Sequence, residues 1–215
     1  MRVVLLAVCV LASAVAPVHG ASVEATVRDE AGKPVEDAVV YVLVAADASR
    51  KRPGPATMDQ VKQEFVPYVL AIEIGAAVSF PNNDNIRHHV YSFSSPKKFE
   101  LPLYIGSPAE PMVFDKPGVV ALGCNIHDWM VGYVYVLPTP FFARTGDSGK
   151  ASLDGLPPGP HELRVWHPRL KAATETTGQK VTLAEGNSAG VLFTVGLKRE
   201  WRIPRPLFPR YERGN

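Results

Sequence analysis

Cysteine is scarce in this 215-residue chain, which contains only Cys9 and Cys124. Cys9 falls in an apolar N-terminal run that is predicted below to be removed, so the remaining chain has one cysteine and forms no intramolecular disulfide. Exported proteins usually pair their cysteines, because oxidising compartments favour disulfides over free thiols. Cys124 is therefore either a small buried apolar residue or a ligand for a metal.

Long hydrophobic runs are also scarce. The longest covers residues 3–15; it follows Arg2 and precedes small residues that end at Gly20 and Ala21. Such a run is too short to span a bilayer as a helix, but it is typical of a secretory signal peptide. We predict a signal peptide over residues 1–20 and no transmembrane segment in the mature chain. Lipid attachment at Cys9 is the alternative, and the position of Cys9 within the apolar run argues against it.

The chain also lacks an excess of charge of one sign, and it lacks helical periodicity. The chain has 23 Lys and Arg against 21 Asp and Glu, a formal net charge of +2, so composition indicates no nucleic-acid partner. No segment keeps a helical period for more than two turns. Short runs rich in Val, Tyr, Phe and Leu alternate instead with turns, as 20 prolines and 17 glycines favour. The sequence predicts an all-β protein with two modest cores.

The sequence does contain a Cys-x-x-His-x-x-Met motif. Cys124, His127 and Met130 follow one another at three-residue spacing in a strand-rich segment. A thiolate, an imidazole and a thioether form a soft ligand set that suits copper, and a second imidazole completes a His₂Cys site with a weak axial Met. Met130 as a residue that fills a gap in the core is the alternative. We interpret the motif as most of a copper site.

The second imidazole comes from His88 or His89. Adjacent side chains of a strand point to opposite faces, so at most one of the two readily binds the same metal. The other is then a surface or supporting residue, for which a hydrogen bond to the cysteine loop is one expected role. His161 and His167 have no ligand spacing and are expected to be structural.

Two stretches resemble the blue-copper cupredoxins, closest to plastocyanin and amicyanin. Residues 78–90 read Val-Ser-Phe-Pro-Asn-Asn-Asp-Asn-Ile-Arg-His-His-Val, and residues 119–136 contain the cysteine motif followed by a strand rich in Tyr and Val. The chain departs from the family at His89, where the family has Asn. It also departs at Asn125 and Ile126, where the family often has Thr and Pro.

This resemblance implies a Greek-key cupredoxin β-sandwich over residues 57–137 with one type 1 copper. In the family the first histidine ligand follows an Asn-x-Asp-type turn, and counting from Asn82 and Asp84 puts that ligand at His88. The implied ligands are His88, Cys124, His127 and Met130.

A second resemblance is split along the chain. Residues 23–42, and residues 145–165 with their Pro-Pro-Gly turn, resemble the two halves of a carboxypeptidase regulatory-like β-sandwich. The cupredoxin is then inserted in a discontinuous sandwich of residues 21–46 and 138–198, followed by an extended tail over residues 199–215. Two consecutive domains with an unrelated N-terminal hairpin are the alternative. In both cases residues 21–28 and 35–44 are predicted to pair as a hairpin.

The expected function is one-electron transfer. The chain has one complete ligand set, no further histidine cluster and no nucleophile elbow, which favours a carrier over an enzyme. The resemblance implies a periplasmic protein of the methylamine-utilisation type with an unidentified redox protein as donor or acceptor. A periplasmic copper carrier or chaperone, and an envelope interaction module with a structural metal, are the alternatives.

Overall fold

The computed structural model describes residues 20–44, 53–108 and 110–199 of the chain. These ranges contain strands and turns, one short 3₁₀ helix at Thr174–Thr177, and no α-helix. The prediction of an all-β protein is therefore confirmed. No helix within the described ranges is both long and apolar enough to cross a membrane. The predicted signal peptide, up to residue 19, and residues 200–215 of the predicted tail lie outside the described residues.

Seventeen strands are present in the described part of the chain, and they fall into five sheets. In chain order they are β1 (Ala21–Asp29), β2 (Val39–Val42), β3 (Ala56–Thr57), β4 (Asp59–Val61), β5 (Glu64–Val66), β6 (Val69–Glu73), β7 (Ala77–Ser79), β8 (His88–Ser92), β9 (Phe99–Tyr104), β10 (Met112–Val113), β11 (Gly118–Gly123), β12 (Val131–Leu137), β13 (Phe142–Arg144), β14 (Lys150–Leu156), β15 (Gly159–Trp166), β16 (Gln179–Leu183) and β17 (Ser188–Val195).

The flanking sandwich consists of two sheets, with strand orders β14-β1-β17 and β13-β2-β15-β16. Along β1 the even alternation of Val, Ala and Val with polar residues buries every second side chain, as a sheet with one covered face requires. Val23 and Phe193 from one sheet share a core with Val40 and Leu163 from the other. The two sheets therefore pack face to face.

The central sandwich consists of the strands from β3 to β12. A five-stranded sheet of order β6-β12-β11-β8-β9 packs against a small sheet of order β10-β7-β3, and β4 and β5 form a separate hairpin. Val90, Leu122 and Val134 of the large sheet share a core with Val78 of the small sheet and with Phe65 of the hairpin. The large sheet carries the segments that hold the predicted metal ligands.

Strand pairing joins the two ends of the described chain around the central sandwich. Strand β1 pairs antiparallel with β14 and parallel with β17, and β2 pairs antiparallel with β13 and β15. The partners of β1 and β2 thus follow the central strands in the sequence. On this pairing we retain as a proposal the discontinuous domain of residues 21–46 and 138–198 around a domain of residues 57–137. The resemblance to carboxypeptidase regulatory-like domains also remains a prediction.

The predicted hairpin between residues 21–28 and 35–44 is wrong. The turn forms, because Asp29 N–H donates to Lys33 O and Val35 N–H donates to Val27 O. Beyond it the chain leaves β1, since Thr145 Oγ1 donates to the Val35 carbonyl and accepts from Ala38 N–H. Strands β1 and β2 therefore face each other from different sheets instead of pairing side by side.

A cluster rich in aromatic residues connects the two sandwiches. Val39, Tyr41 and Trp166 of the flanking sandwich pack against the outer face of the large central sheet, where Tyr133 and Tyr135 lie on β12. The ring centroids of Tyr135 and Trp166 are 4.7 Å apart, and those of Tyr41 and Tyr135 are 5.8 Å apart in an edge-on arrangement. Strand β2 is buried along its whole length because its two faces contribute to two different cores.

Candidate metal centre

His88, Cys124 and His127 lie together at one end of the central sandwich. Their candidate ligand atoms all lie within 4.8 Å of one another. The two imidazole Nδ1 atoms are 3.1 Å apart, and the Cys124 Sγ atom is 3.7 Å from the His127 Nδ1 atom. His88 and Cys124 are 0% and 3% exposed, whereas His127 is half-buried. Within the described ranges this is the one such grouping of His, Cys, Asp or Glu side chains.

The loop of residues 124–130 connects two paired strands and closes on itself. Strand β11 ends at Gly123, which pairs with Val131 at the start of β12. Inside the loop, Met130 N–H donates a 2.8 Å hydrogen bond to the His127 carbonyl. The Tyr91 ring lies over Gly123, and a Cβ atom there would lie 2.7 Å from Tyr91 Cζ, so a larger residue would displace the tyrosine ring. The hairpin geometry thus places Cys124 and His127 on one turn.

Met130 lies at the end of the same loop and is 1% exposed. It belongs to the central core together with Cys124 and Val90. A buried position in the same core as the cysteine suits both an axial thioether and an ordinary core methionine. Its role as the fourth ligand stays a prediction, as does metal binding by the other three residues.

Of the two adjacent histidines, His88 is the one that faces Cys124 and His127. The His89 ring points to the opposite side of β8, where its Nε2 atom lies 2.8 Å from Glu100 Oε1. The expected hydrogen bond from His89 to the cysteine loop is therefore wrong, because β8 pairs with β9 on that side and brings Glu100 to His89. The alternation of side chains along a strand accounts for the difference.

Asp84 holds the far side of the His88 ring. Its Oδ2 atom lies 2.7 Å from His88 Nε2. Burial alone would raise the pKa of Asp84, but hydrogen bonds from the Gln63 amide, the His88 ring and the Lys62 amide together hold that pKa below its usual value. A carboxylate only accepts, so the His88 proton lies on Nε2 and the Nδ1 lone pair faces Cys124 and His127. This is the tautomer that a metal ligand needs.

The carboxylate of Asp84 is itself held by the turn between β4 and β5. Lys62 N–H donates to Oδ1 at 2.6 Å, and Gln63 N–H donates to Oδ2 at 2.7 Å. Both turn residues have positive φ, +54° and +60°. Successive amides in such a turn point to one side and bind an anion. Sequence reasoning missed this role of Asp84, since the contact depends on a hairpin about twenty residues upstream.

Asn82 organises the loop that precedes His88. Its Nδ2 group donates to the carbonyls of Ile86 and Tyr104, at 2.9 and 2.8 Å, and its Oδ1 atom accepts from Asp84 N–H at 3.0 Å. Nearby, burial raises the pKa of Tyr104 to about 12, so its hydroxyl stays neutral and donates to the Phe80 carbonyl. The loop is thus fixed by buried hydrogen bonds rather than by regular structure.

The site reaches the surface at His127. The Trp129 ring lies 5.1 Å from the His127 ring, and the Trp129 Nε1 atom is buried with no hydrogen-bond partner among the described residues. Ile126, beside His127, is 48% exposed. The half-buried imidazole therefore has an aromatic neighbour on one side and an exposed apolar side chain on the other.

The remaining described histidines lie elsewhere and have structural contacts. His161 Nε2 donates to the Pro157 carbonyl at 2.7 Å. His167 Nδ1 accepts from Arg169 N–H at 3.1 Å. Both residues belong to the flanking sandwich, outside the grouping around Cys124.

The donor set fits a soft metal ion. It offers two imidazole nitrogens and one thiol sulfur that already lie close together, and a thioether on the same loop. Thiolate and imidazole suit copper and zinc and do not suit hard ions such as magnesium or calcium. Asp84 holds the Nε2 proton of His88, so the Nδ1 lone pair of His88 is free to bind a metal.

No protein-family model and no curated protein sequence matches this chain. Among solved structures, a copper-containing nitrite reductase from Thermus scotoductus SA-01 matches at 30% identity, with a TM-score of 0.37; the match covers 44% of this chain and 25% of that one. A purple cupredoxin from Nitrosopumilus maritimus matches at 26% identity and a TM-score of 0.34, covering 38% and 99% of the two chains. An oxidised amicyanin mutant matches at 16% identity and a TM-score of 0.35, covering 46% and 98%. At these TM-scores the likenesses establish neither a family nor a function.

Proposed function

We propose that this protein is an exported type 1 copper protein that carries single electrons between redox partners. One copper is held by His88, Cys124, His127 and Met130. The observation that carries the proposal is the grouping of two imidazole nitrogens and one cysteine sulfur within 4.8 Å, with His88 and Cys124 buried. When bound, copper would supply a one-electron redox couple at this position.

Each proposed ligand has a role that follows from the chemistry of its side chain. Cys124, as a thiolate, provides the strong soft bond that favours copper over harder ions. His88 and His127 provide imidazole nitrogens, and the hydrogen bond to Asp84 keeps the His88 nitrogen oriented. Met130 is proposed as the weak axial donor. Loop hydrogen bonds and core packing hold these donors in place, which suits a carrier because little has to move when the charge changes.

The proposed partner is a redox protein that docks at His127. This imidazole is the half-buried member of the grouping, and Ile126 offers an exposed apolar contact next to it. A short path from the surface to the ligands is what electron transfer between two proteins requires. The proposed location is the periplasm, reached through the predicted signal peptide of residues 1–20.

Titration of the purified mature protein with Cu(II) tests this function. We expect an intense visible thiolate-to-copper band and a type 1 electron paramagnetic resonance spectrum that saturate at one equivalent. Cys124→Ser should abolish the band, because the oxygen ligand lacks the soft sulfur donor. His89→Gln is the matched control: this neighbour of His88 contacts Glu100 on the other face of the strand, so the band should persist.

A colourless protein, or equal copper binding with and without Cys124, contradicts the proposal. Loss of the band in His89→Gln would mean that the strand face has been wrongly assigned. Repeating the titration with Zn(II) separates the two readings of the site: a redox carrier shows a reversible one-electron wave with copper, whereas a structural metal site stabilises the fold equally with zinc.

A further inference from the structure

We propose that the β4–β5 hairpin is part of the support of the metal centre, and that Asp84 is the positioning residue through which the hairpin turn orients the His88 ring. No residue of the hairpin ligates the metal. The inference rests on the proposed function for the identity of the metal, but the linkage itself is a property of the protein alone.

The linkage consists of three hydrogen bonds to one carboxylate. Asp84 Oδ1 accepts from Lys62 N–H, and Asp84 Oδ2 accepts from both Gln63 N–H and His88 Nε2–H. The side chain of His88 is fully buried and that of Asp84 is 13% exposed. Because both oxygens are engaged, the carboxylate has little freedom to rotate, and the direction of the His88 ring follows the position of the turn.

Hydrogen bonds fix the hairpin to the loop that precedes His88. Gln60 N–H donates to the Pro81 carbonyl, and Asn83 N–H donates to the Gln60 carbonyl, both at 3.0 Å. Asn83 Nδ2 also donates to Asp59 Oδ2 at 2.8 Å. Strand β4 therefore pairs with the loop that leads to His88 and moves with it.

The same hairpin contacts the segment that carries the other ligands. Phe65 on β5 is 2% exposed and belongs to the central core. It packs onto Gly132 of β12, where a Cβ atom would lie 2.7 Å from Phe65 Cβ. Gly132 follows Met130 by two residues, so one hairpin touches both segments on which the predicted ligands lie.

The expected effect on the metal follows from the chemistry of the imidazole. A carboxylate that accepts the Nε2 proton makes Nδ1 a stronger donor and keeps it aimed at the metal. A stronger nitrogen donor favours Cu(II) over Cu(I). Removing the charge of Asp84 should therefore weaken Cu(II) binding more than Cu(I) binding and raise the reduction potential, by about 59 mV for each tenfold difference.

The test compares Asp84→Asn with Glu64→Gln in the full mature protein. Both changes remove one carboxylate charge from the same hairpin–loop unit, but Asp84 touches His88 whereas Glu64 is exposed on β5. For Asp84→Asn we expect a loss of Cu(II) affinity of about 10–100-fold, a raised potential, and faster hydrogen exchange at the Lys62 and Gln63 amides. Glu64→Gln should leave the affinity and the potential at their original values.

If Asp84→Asn does not fold, a second pair of variants tests whether the hairpin turn orients His88. Gln63 has φ +60°, which glycine adopts freely and a β-branched residue does not. Gln63→Gly should keep the affinity and the potential, whereas Gln63→Val should shift both in the direction of Asp84→Asn. Unchanged copper affinity and potential in Gln63→Val, or equal shifts in Asp84→Asn and Glu64→Gln, would overturn the proposal.

The ring can also be followed without metal, which separates this inference from the proposed function. Long-range proton–nitrogen NMR of the metal-free protein reports which nitrogen of His88 carries the proton. We expect Nε2–H in the original protein and a mixture of tautomers in Asp84→Ala, because alanine has no side-chain acceptor for the Nε2 proton. If the protein binds no copper yet shows this change, the electron-transfer function fails and the linkage stands. If the tautomer is the same in both proteins, the linkage fails.

Discussion

At the scale of single residues, Met130 belongs to the central core and ends the loop that carries two of the proposed metal ligands. It is almost fully buried, and its N–H donates to the carbonyl of His127. A core methionine contributes mainly dispersion and apolar burial, whereas an axial thioether also donates electron density to copper. These two roles differ in a measurable property, because only the ligand role affects the reduction potential.

Met130→Leu separates the two roles. Leucine has a similar volume, so we expect a loss of stability below about 1.5 kcal/mol. If Met130 is the axial ligand, loss of the thioether favours Cu(I) and raises the reduction potential, again by about 59 mV for each tenfold change in relative affinity. Cyclic voltammetry of the copper-loaded variant checks this. An unchanged potential would assign Met130 to the core alone.

Sequence spacing was informative where the contacts are local. Cys124 and His127 are three residues apart on one loop, and the structure brings them together. Strand alternation predicted that only one of His88 and His89 faces the site, but the residues themselves did not say which. The role of Asp84 was out of reach because its partners Lys62 and Gln63 are met only after the chain folds.

At the scale of elements, the contact between β5 and β12 depends on a residue without a side chain. Gly132 lies at the second position of β12, and the Phe65 side chain occupies the space that a Cβ atom would need. The contact involves Phe65 Cβ, which cannot move without its backbone. The close approach of the hairpin to β12 therefore requires glycine at this position.

Gly132→Ala should be destabilising. A methyl group 2.7 Å from Phe65 Cβ forces the hairpin away from β12, and such overpacking costs about 1–3 kcal/mol. Gly190→Ala is the control, since nothing lies within 4 Å of a Cβ atom at that strand position, and we expect a change within about 0.5 kcal/mol. Urea unfolding followed by circular dichroism measures both. Equal stabilities of the two variants would contradict the close contact.

The sequence did not predict the pairing of the first two strands correctly. The turn residues after β1 were interpreted correctly, because Asp29 Oδ1 accepts from the amides of Ala31 and Lys33. The prediction then failed at Ala38, whose backbone is bonded by Thr145 from a distant part of the chain. Local turn chemistry predicts that a chain reverses, but it does not predict which strand the returning segment will pair with.

At the scale of the whole molecule, the two sandwiches share the aromatic cluster around Trp166. This side chain contacts the rings of Tyr133 and Tyr135 across the junction. Tyr135 O–H also donates to the hydroxyl oxygen of Tyr41, and burial raises the pKa of Tyr135 well above its usual value. The hydroxyl therefore stays neutral, so the Tyr135–Tyr41 hydrogen bond brings no charge into the junction.

Trp166→Ala tests how far the junction couples the sandwiches. Truncating a buried tryptophan costs about 3–5 kcal/mol. We expect that loss to appear as two separate urea transitions in place of one, because the shared contact is removed. Leu192→Ala is the control on β17, where the side chain is 55% exposed; it should change little. A single transition of unchanged midpoint in Trp166→Ala would show that the sandwiches do not depend on this contact.

The pairing of β1 and β2 with strands from the far end of the chain has a consequence for biosynthesis. The hydrogen bonds that join Ala38 to Thr145 span 107 residues. During translation the first two strands therefore emerge long before their partners do. Contacts so distant in sequence close slowly, and unpaired strand edges are prone to aggregate until they close.

The central strands are consecutive in the sequence, so they can pair first and bring the two ends of the chain together. We therefore expect the flanking sandwich to close after the central strands have paired.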